Sequence, residues 1–232
     1  MTNLLTLTPQ AMAQYFDHAL LKPNATKEEL EAFCEEGMRL GVKMLAINPA
    51  AVALCAKRVQ GTGVLVGAAI GFPLGQTTLT TKLFETKEAI ANGSGEIDYV
   101  INLTELKSGS HAYITQEMQA IVSICQDAGV VSKVIFENCY LSDDEKKTLC
   151  DIANQVKPDF IKTSTGFGTS GALIKDVQLM RQYADAGIGI KASGGIKTWS
   201  DAAGLIQAGA TRIGTSSTAG ILEEFRLELL RQ

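Results

Sequence analysis

The sequence predicts an α/β fold, a (β/α)8 TIM barrel that occupies residues 1–232 as a single domain. Three observations favour this fold. Eight short apolar segments recur along the 232-residue chain, amphipathic segments separate them, and a last amphipathic segment, ILEEFRLELLRQ, follows the eighth. Strands that alternate with helices in this way build a parallel sheet, and eight such units close that sheet into a barrel.

The eight predicted strands are short apolar runs between turn signals. In chain order they are YFDHALL, VKMLAI, VLVGAAI, EIDYVIN, SKVIFE, DFIKTS, GIGIKAS and TRIGTS. In the fourth strand, alternation places Asp98 on the face opposite Ile97 and Tyr99. This carboxylate is therefore predicted to point into the barrel.

The segments between the strands carry signals for the start and the end of a helix. In TKEELEAFCEEGMRLG, Thr26 and Glu29 have the spacing of a capping box, and Gly41 marks the end of the helix. SDDEKKTLCDIANQV repeats this opening with Ser142 and Glu145, and it runs into Pro158 in place of a glycine.

A doubly wound α/β sheet is the alternative fold. Such a sheet does not require eight evenly spaced units, and it normally carries a G-x-G-x-x-G loop after an early strand. GVLVGAAIGFPLG is rich in glycine but does not match that pattern. No linker rich in Pro, Gly or Ser divides the chain, so we expect one domain.

The charge balance and the start of the chain argue against several classes of function. With 21 basic and 25 acidic residues the net charge is −4, which disfavours nucleic acid and anionic membranes as partners. MTNLLTLTPQ lacks the basic and apolar regions of a signal peptide, and no stretch approaches the ~18 apolar residues of a membrane span. We therefore expect a soluble, cytoplasmic protein.

Cysteine and histidine are poorly arranged for binding a metal ion. The five cysteines are scattered without a C-x-x-C pair, and the only histidines are His18 and His111. Zinc sites and the sites of metal-dependent aldolases usually need two or three histidines close together. We expect the cysteines to be small buried thiols, and the sequence disfavours a metal mechanism.

Two lysines end consecutive apolar strands. Lys162 follows Asp-Phe-Ile in DFIKTSTGF, and Lys191 occupies the same place in IGIKASGG. The sixth and seventh strands of a barrel are neighbours, and barrel enzymes place their active site at the carboxyl ends of the strands. A like charge nearby and partial burial both lower the pKa of a lysine, which then becomes a nucleophilic amine able to form a Schiff base with a carbonyl group.

A lysine at the end of a strand has a second interpretation. Its ammonium group can extend to solvent or form an ion pair with a carboxylate. Two lysines at consecutive strand ends, each followed by small residues, favour the catalytic interpretation. Asp98 is placed to meet both lysines, either as an ion-pair partner or as a group that moves protons beside an iminium ion.

The loops after the seventh and eighth strands have the composition of a phosphate site. Gly194 and Gly195 follow the seventh strand, and Gly214, Thr215, Ser216 and Ser217 end the eighth. These residues offer backbone N–H groups, hydroxyl groups and the start of a helix. TIM barrels commonly bind phosphate in these two loops.

The chain resembles the deoxyribose-phosphate aldolase family. The resemblance rests on KTSTGF, KASGGI, EIDYVIN, FDHALLKP, GFPLG, ENCYL and RIGTSS, from about residue 16 to residue 217. It implies a class I aldolase that cleaves 2-deoxy-D-ribose 5-phosphate to acetaldehyde and D-glyceraldehyde 3-phosphate without metal or organic cofactor. It also implies a homodimer.

The matching motifs imply roles for particular residues. Lys162 matches the lysine that forms the Schiff base, Lys191 the lysine that tunes it, and Asp98 the carboxylate of the proton relay. The residues expected to bind the substrate or its phosphate are Asp17, Thr165, Gly166, Gly194, Gly195, Ser216 and Ser217.

Three features depart from the family pattern. Ala19 stands where threonine is usual, Ala46 stands where cysteine is common, and no tyrosine follows Tyr183, whereas some members have a tail that ends in tyrosine. None of these changes affects the two lysines or Asp98. The departures bear on the rate of the reaction and on the function of the C-terminal tail.

Two other functions remain open at this point. One is another phosphosugar barrel enzyme, either an isomerase or an aldolase with a different donor. The other is a barrel that binds a sugar phosphate without turnover. A reduced acetaldehyde adduct on Lys162 separates the expected aldolase from both.

Overall fold

Residues 4–231 form a closed barrel of eight parallel strands in the computed structural model of the protein. Each strand pairs with the next, and β8 pairs with β1. The strands are β1 Phe16–Leu20, β2 Met44–Ile47, β3 Leu65–Ile70, β4 Glu96–Val100, β5 Val131–Ile135, β6 Phe160–Lys162, β7 Gly189–Ser193 and β8 Arg212–Thr215. All eight predicted strands are confirmed, and the open doubly wound sheet is excluded.

Helices surround the barrel and connect successive strands. Within residues 4–231 they are α1 Pro9–Ala13, α2 Lys27–Leu40, α3 Val52–Arg58, α4 Leu79–Ala91, α5 Leu103–Lys107, α6 His111–Ala128, α7 Asp143–Val156, α8 Ile174–Tyr183, α9 Trp199–Gln207 and α10 Thr218–Leu229. None of these helices is long and apolar enough to cross a membrane.

The predicted helix caps are present. In α2 the Thr26 hydroxyl accepts a hydrogen bond from the Glu29 N–H at 3.2 Å, and the Glu29 carboxylate accepts one from the Thr26 N–H at 2.7 Å. Gly41 then ends the helix with a φ of 67°. Ser142 and Glu145 form the same box at the start of α7. These local bonds hold the helix ends that lead into the strands.

The two faces of the strands differ in chemistry. The residues that face the helices, such as Val66, Ile97 and Ile190, belong to the main apolar core. The barrel interior instead holds seven buried charged side chains, which we call the interior charge cluster: Asp17, Glu96, Asp98, Lys133, Lys162, Lys191 and Arg212. TIM-barrel interiors are usually filled by branched apolar side chains, so this cluster marks the barrel as a site of chemistry.

Candidate active site

Lys162 and Lys191 lie side by side at the carboxyl ends of β6 and β7. They are partners in the register of the two strands, and their relative exposures are only 3% and 1%. The sequence predicted this adjacency from the order of the strands. Both ammonium groups are therefore held away from bulk water, where charge is costly unless it is compensated.

Asp98 bridges the two lysines. Its Oδ2 atom accepts hydrogen bonds from Lys162 Nζ at 2.7 Å and from Lys191 Nζ at 2.6 Å. Its Oδ1 atom accepts a hydrogen bond from Lys133 Nζ at 2.7 Å. Asp98 thus points into the barrel, as the alternation of β4 predicted, and its one carboxylate pairs with three cations.

Three members of the cluster were not predicted from the sequence: Glu96, Lys133 and Arg212. Lys133, on β5, pairs with both Asp98 and Glu96. Arg212, on β8, lies 3.2 Å from Glu96 Oε2. The signal was present, because EIDYV puts Glu96 two residues before Asp98 on the same strand face. SKVIF and TRIGT each carry a lone cation in an apolar strand, as DFIK does.

The cluster holds four cationic side chains and three carboxylates, Asp17, Glu96 and Asp98. Its charges balance when one cation loses its proton. Lys162 is the group that does so most readily: burial lowers its pKa, Lys191 and Lys133 lower it further, and the opposing attraction of Asp98 leaves the pKa at about 8. At pH 7 about a tenth of Lys162 is neutral, roughly 300-fold more than for an ordinary lysine.

Asp98 and Lys133 are held in their charged forms. Burial alone would raise the pKa of Asp98, but Lys133, Lys162 and Lys191 bring that pKa well below its ordinary value. Burial likewise opposes the charge on Lys133, yet Asp98, Glu96 and Asp17 raise the pKa of that lysine. Lys162, whose pKa is lowered instead, can release a proton near neutral pH.

A cavity of about 480 Å³ opens above the two lysines at the carboxyl ends of the strands. Of the ten predicted site residues, eight line it: Lys162, Thr165, Gly166, Lys191, Gly194, Gly195, Ser216 and Ser217. Ala19 and Ala46, two of the three departures from the family pattern, line it as well.

The loops after β6, β7 and β8 form one side of this cavity. Gly194, in the loop after β7, has a φ of 86°. A Cβ atom on Gly194 would lie 3.0 Å from the Cα atom of Gly171, so the loop after β7 packs directly against the backbone of the loop after β6. The Ala172 N–H donates to the Gly194 carbonyl at 3.0 Å. The Thr215 hydroxyl donates to the Ile196 carbonyl at 2.7 Å, which joins the loop after β7 to the loop after β8.

Asp17, which the sequence predicted to contact the substrate or its phosphate, lies among the charges of the barrel interior. Asp17 is fully buried on β1 and is absent from the cavity lining. Its Oδ1 atom lies 2.6 Å from Arg212 Nη1 and its Oδ2 atom lies 2.5 Å from Lys191 Nζ. Burial raises the pKa of Asp17, but Lys191, Lys133 and Arg212 together lower it. Asp17 is a counter-ion within the barrel, and a carboxylate would repel a phosphate.

Two lysines at the rim of the cavity were also missed. Lys197 follows Gly194-Gly195-Ile196, and Lys22 follows β1; both are exposed and line the cavity. Lys22 is paired with Glu29 at 2.5 Å. A cation next to a Gly-Gly loop is a phosphate signal, and KASGGIK contained it. As for metal ions, residues 4–231 contain no cluster of three or more His, Cys, Asp or Glu side chains suited to hold one.

A buried amine that loses its proton near neutral pH is a nucleophile for carbonyl carbon, and its place at the mouth of a (β/α)8 barrel points to a barrel enzyme that works through a lysine. Comparison with known proteins gives the family. The chain belongs to the DeoC/LacD family of aldolases, whose family model matches residues 11–222.

Relatives and solved structures agree with this assignment. The chain is 51% identical to the deoxyribose-phosphate aldolase of Bacteroides thetaiotaomicron, over 96% of this chain and 94% of that protein. It is 46% identical to the deoxyribose-phosphate aldolase of Lactobacillus acidophilus, over 94% and 92%. The deoxyribose phosphate aldolase of Aeropyrum pernix, described as a tetramer, superimposes with a TM-score of 0.88 at 34% identity, covering 94% of this chain and 92% of that one.

Proposed function

We propose that this protein cleaves 2-deoxy-D-ribose 5-phosphate reversibly to acetaldehyde and D-glyceraldehyde 3-phosphate through a Schiff base on Lys162. The observation that carries the proposal is a buried lysine, Lys162, beside Lys191 at the base of a cavity, where burial lowers its pKa to about 8. The names of the relatives supply the substrate, and the site supplies a nucleophile and a place for a phosphate.

The carbon chemistry follows from the neutral amine. Lys162 attacks the C1 aldehyde of the open-chain sugar, and loss of water gives an iminium ion. When the C3 hydroxyl loses its proton, the C2–C3 bond breaks and its electrons flow to the iminium nitrogen. D-Glyceraldehyde 3-phosphate leaves, and the remaining enamine is protonated at C2 and hydrolysed to acetaldehyde. The iminium ion is the electron sink, so the reaction needs no metal or organic cofactor.

Asp98 and Lys191 are proposed to move the protons. Asp98 is buried and does not line the cavity, so it reaches the C3 hydroxyl only through a water or through Lys191, which lines the cavity 2.6 Å from Asp98 Oδ2. Because the pKa of Asp98 is low, this carboxylate holds a proton only in passing.

The phosphate is proposed to bind at the other end of the cavity. Gly194, Gly195, Ser216 and Ser217 line that end, Ser217 precedes helix α10, and the side chain of Lys197 adds a cation. Backbone N–H groups at a helix start and a nearby ammonium group are the donors that phosphate prefers. Thr165 and Gly166 are proposed to border the sugar between phosphate and amine.

Borohydride reduction in the presence of acetaldehyde tests the Schiff base. We expect one ethyl group to replace a hydrogen atom of the protein, a net gain of C2H4, with the modification on Lys162 in a peptide digest. Lys162→Arg should gain none and should lose turnover while keeping its fold, because a guanidinium group stays protonated. The matched control is Lys191→Arg, which keeps Lys162 and should still be labelled there. An adduct on any other lysine would overturn the assignment, and phosphosugar binding without an adduct would indicate a barrel that does not catalyse the aldol reaction.

A charge at Ser217 tests the phosphate end separately. We expect Ser217→Asp to raise KM for deoxyribose 5-phosphate far more than for deoxyribose, because the new carboxylate repels the phosphate. Ser217→Asn is the control, since it has the same shape without the charge. Equal losses on both substrates would show that this loop does not bind the phosphate.

The assembly and location remain proposals as well. We propose a homodimer, which is supported by the resemblance to the family and by the exposure of large apolar side chains such as Phe84 and Leu230. Light scattering distinguishes it from a tetramer, the state described for the Aeropyrum pernix relative. We propose a cytoplasmic location, supported by five cysteines that are all free thiols.

A further inference from the structure

His18 lies on β1 in the motif FDHALLKP and faces away from the interior charge cluster. It is buried, with a relative exposure of 3%. Its ring stacks on Phe33 of α2 with the ring centroids 4.6 Å apart. Nε2 lies 3.3 Å from Glu36 Oε2, and Nδ1 lies 3.0 Å from the hydroxyl oxygen of Thr218, the first residue of α10. The imidazole thus connects two helices to the first strand.

The direction of these hydrogen bonds follows from the chemistry of the partners. An ionised carboxylate can only accept, so Nε2 carries the proton that is donated to Glu36. Burial lowers the pKa of His18 in spite of Glu36, so the ring is neutral at neutral pH. A neutral ring protonated at Nε2 has a lone pair at Nδ1. Thr218, which is fully buried, therefore donates its hydroxyl proton to His18.

Thr218 stands at the junction of the loops assigned to the phosphate. Its hydroxyl has a single proton, which goes to His18 Nδ1 at 3.0 Å in preference to the Thr215 carbonyl at 3.3 Å. The hydroxyl of Thr215 accepts from the Ser217 N–H at 2.9 Å and donates to the Ile196 carbonyl at 2.7 Å. Because Thr218 directly follows Ser217 in the chain, a change in its position is passed to Ser217, and from Ser217 through the Thr215 hydroxyl to Ile196 in the loop after β7.

We propose that His18 is a positioning residue for phosphate recognition: through Thr218 it holds the start of α10 and the loop after β8 in the arrangement that binds the phosphate of the substrate. This inference rests on the proposed function. His18 does not line the cavity, so its effect on the substrate is exerted through Thr218. A side chain that acts only on overall stability would affect phosphorylated and unphosphorylated substrates alike.

The experiment is a double-mutant cycle read on two substrates. His18→Phe keeps a ring against Phe33 and removes both hydrogen bonds, Thr218→Val removes only the hydroxyl, and the double variant combines them. Thr218→Ser is the matched control that keeps the hydroxyl. KM and kcat are measured for deoxyribose 5-phosphate and for deoxyribose, with thermal melting as a check of folding.

We expect each single variant to raise KM for deoxyribose 5-phosphate about fivefold, because each removes the neutral hydrogen bond between His18 and Thr218, with a smaller change for deoxyribose. The double variant should lose no more than the worse single variant, because both remove the same bond. Thr218→Ser should remain near wild type.

Three results would overturn the proposal: additive losses, equal losses on the two substrates, or a Thr218→Ser variant as impaired as Thr218→Val. If His18→Phe does not fold, the comparison of Thr218→Val with Thr218→Ser decides alone. A wild-type protein that shows no preference for the phosphorylated sugar would overturn the proposed phosphate site and this inference with it. A wild-type preference that every variant retains would overturn the inference only.

Discussion

Lys191 influences the chemistry of Lys162 through charge. With Lys191 present, four cations face three carboxylates, and Lys162 can give up its proton without leaving a carboxylate unbalanced. Without Lys191, the same three carboxylates face three cations, and neutral Lys162 would leave one buried negative charge uncompensated. That state is costly at low dielectric.

Replacing Lys191 should therefore shift the pH dependence of the reaction. In wild type, kcat/KM should rise as the pH increases through about 8, the pKa of Lys162. In Lys191→Leu the pKa of Lys162 should be higher by about one unit, so activity falls at neutral pH and partly recovers in alkali. Lys191→Arg keeps the charge and should retain more of the wild-type profile. Superimposable pH–rate profiles for wild type and Lys191→Leu would contradict the coupling.

Ala46 gives a second prediction at this scale. It lines the same cavity as Lys162, so the family's more common cysteine would meet the aldehydes that the enzyme handles. A thiol with a pKa near ~8.5 is partly thiolate at neutral pH, and cationic lysines increase that fraction. We expect Ala46→Cys to lose activity faster than wild type in concentrated acetaldehyde and to gain a covalent adduct on the new thiol. Ala46→Ser, similar in size without the thiol, should decay like wild type, and identical decay of all three without an adduct would contradict the prediction.

Among the secondary-structure elements, α4 and α6 contain a buried ion pair that supports the site from behind. Lys82 Nζ lies 2.7 Å from Glu117 Oε1 and also donates to the Val100 carbonyl at 2.7 Å. Glu117 Oε2 accepts from the Asn102 N–H at 2.9 Å. The pair therefore fixes the backbone just after Asp98 from two sides.

Breaking this pair should destabilise the fold. We expect Lys82→Met to lower the free energy of unfolding by about 3 kcal/mol or more, because it leaves a buried carboxylate without its cation. Urea denaturation measures the loss. The double variant Lys82→Met/Glu117→Met should lose less than the sum of the two single variants, since it removes both charges together. Strict additivity would show that the two side chains do not act as a pair.

Elements were predictable where the signal is local. The capping boxes at Thr26 and Ser142 and the apolar strands depend on neighbours within a few residues, and the structure contains them as expected. Helix α10 begins at Thr218, three residues before the predicted ILEEF segment, because Thr-Ala-Gly carries little amphipathic signal. Helix α7 ends at Val156, and the next residue, Lys157, takes a φ of 61° where a glycine is usual, ahead of Pro158.

For the whole molecule, the site was only partly predictable. The order of the strands made Lys162 and Lys191 neighbours, and alternation turned Asp98 inward. Neither argument places Asp17 against Arg212, a contact between β1 and β8 that requires barrel closure and the register of the strands. The pKa of Lys162 depends on the number of charges in the cluster. That number therefore follows only from the three-dimensional structure and not from the sequence.

The interior charge cluster should make the stability of the whole molecule sensitive to acid. The pKa values of Asp17 and Asp98 are lowered in the folded protein, so their stabilisation is present above about pH 4, the ordinary aspartate range, and is lost as the pH falls through the lowered values. We expect urea midpoints to fall steeply below about pH 4. Asp98→Asn should be less stable at pH 7 and should show a shallower fall, whereas the exposed Asp144→Asn should follow wild type. A slope in Asp98→Asn equal to that of wild type would contradict this origin.

The cavity above the lysines has a consequence for altering the enzyme by design. The reactive amine obtains its properties from charges inside the barrel, whereas Ala19, Ala46 and Phe167 line the mouth and belong to no ion pair of that cluster. A library of non-ionisable side chains confined to these three positions can reshape the space for the acceptor aldehyde without changing the charge balance that gives Lys162 its pKa. The substrate range of this scaffold can thus be changed separately from its chemistry, one residue at a time.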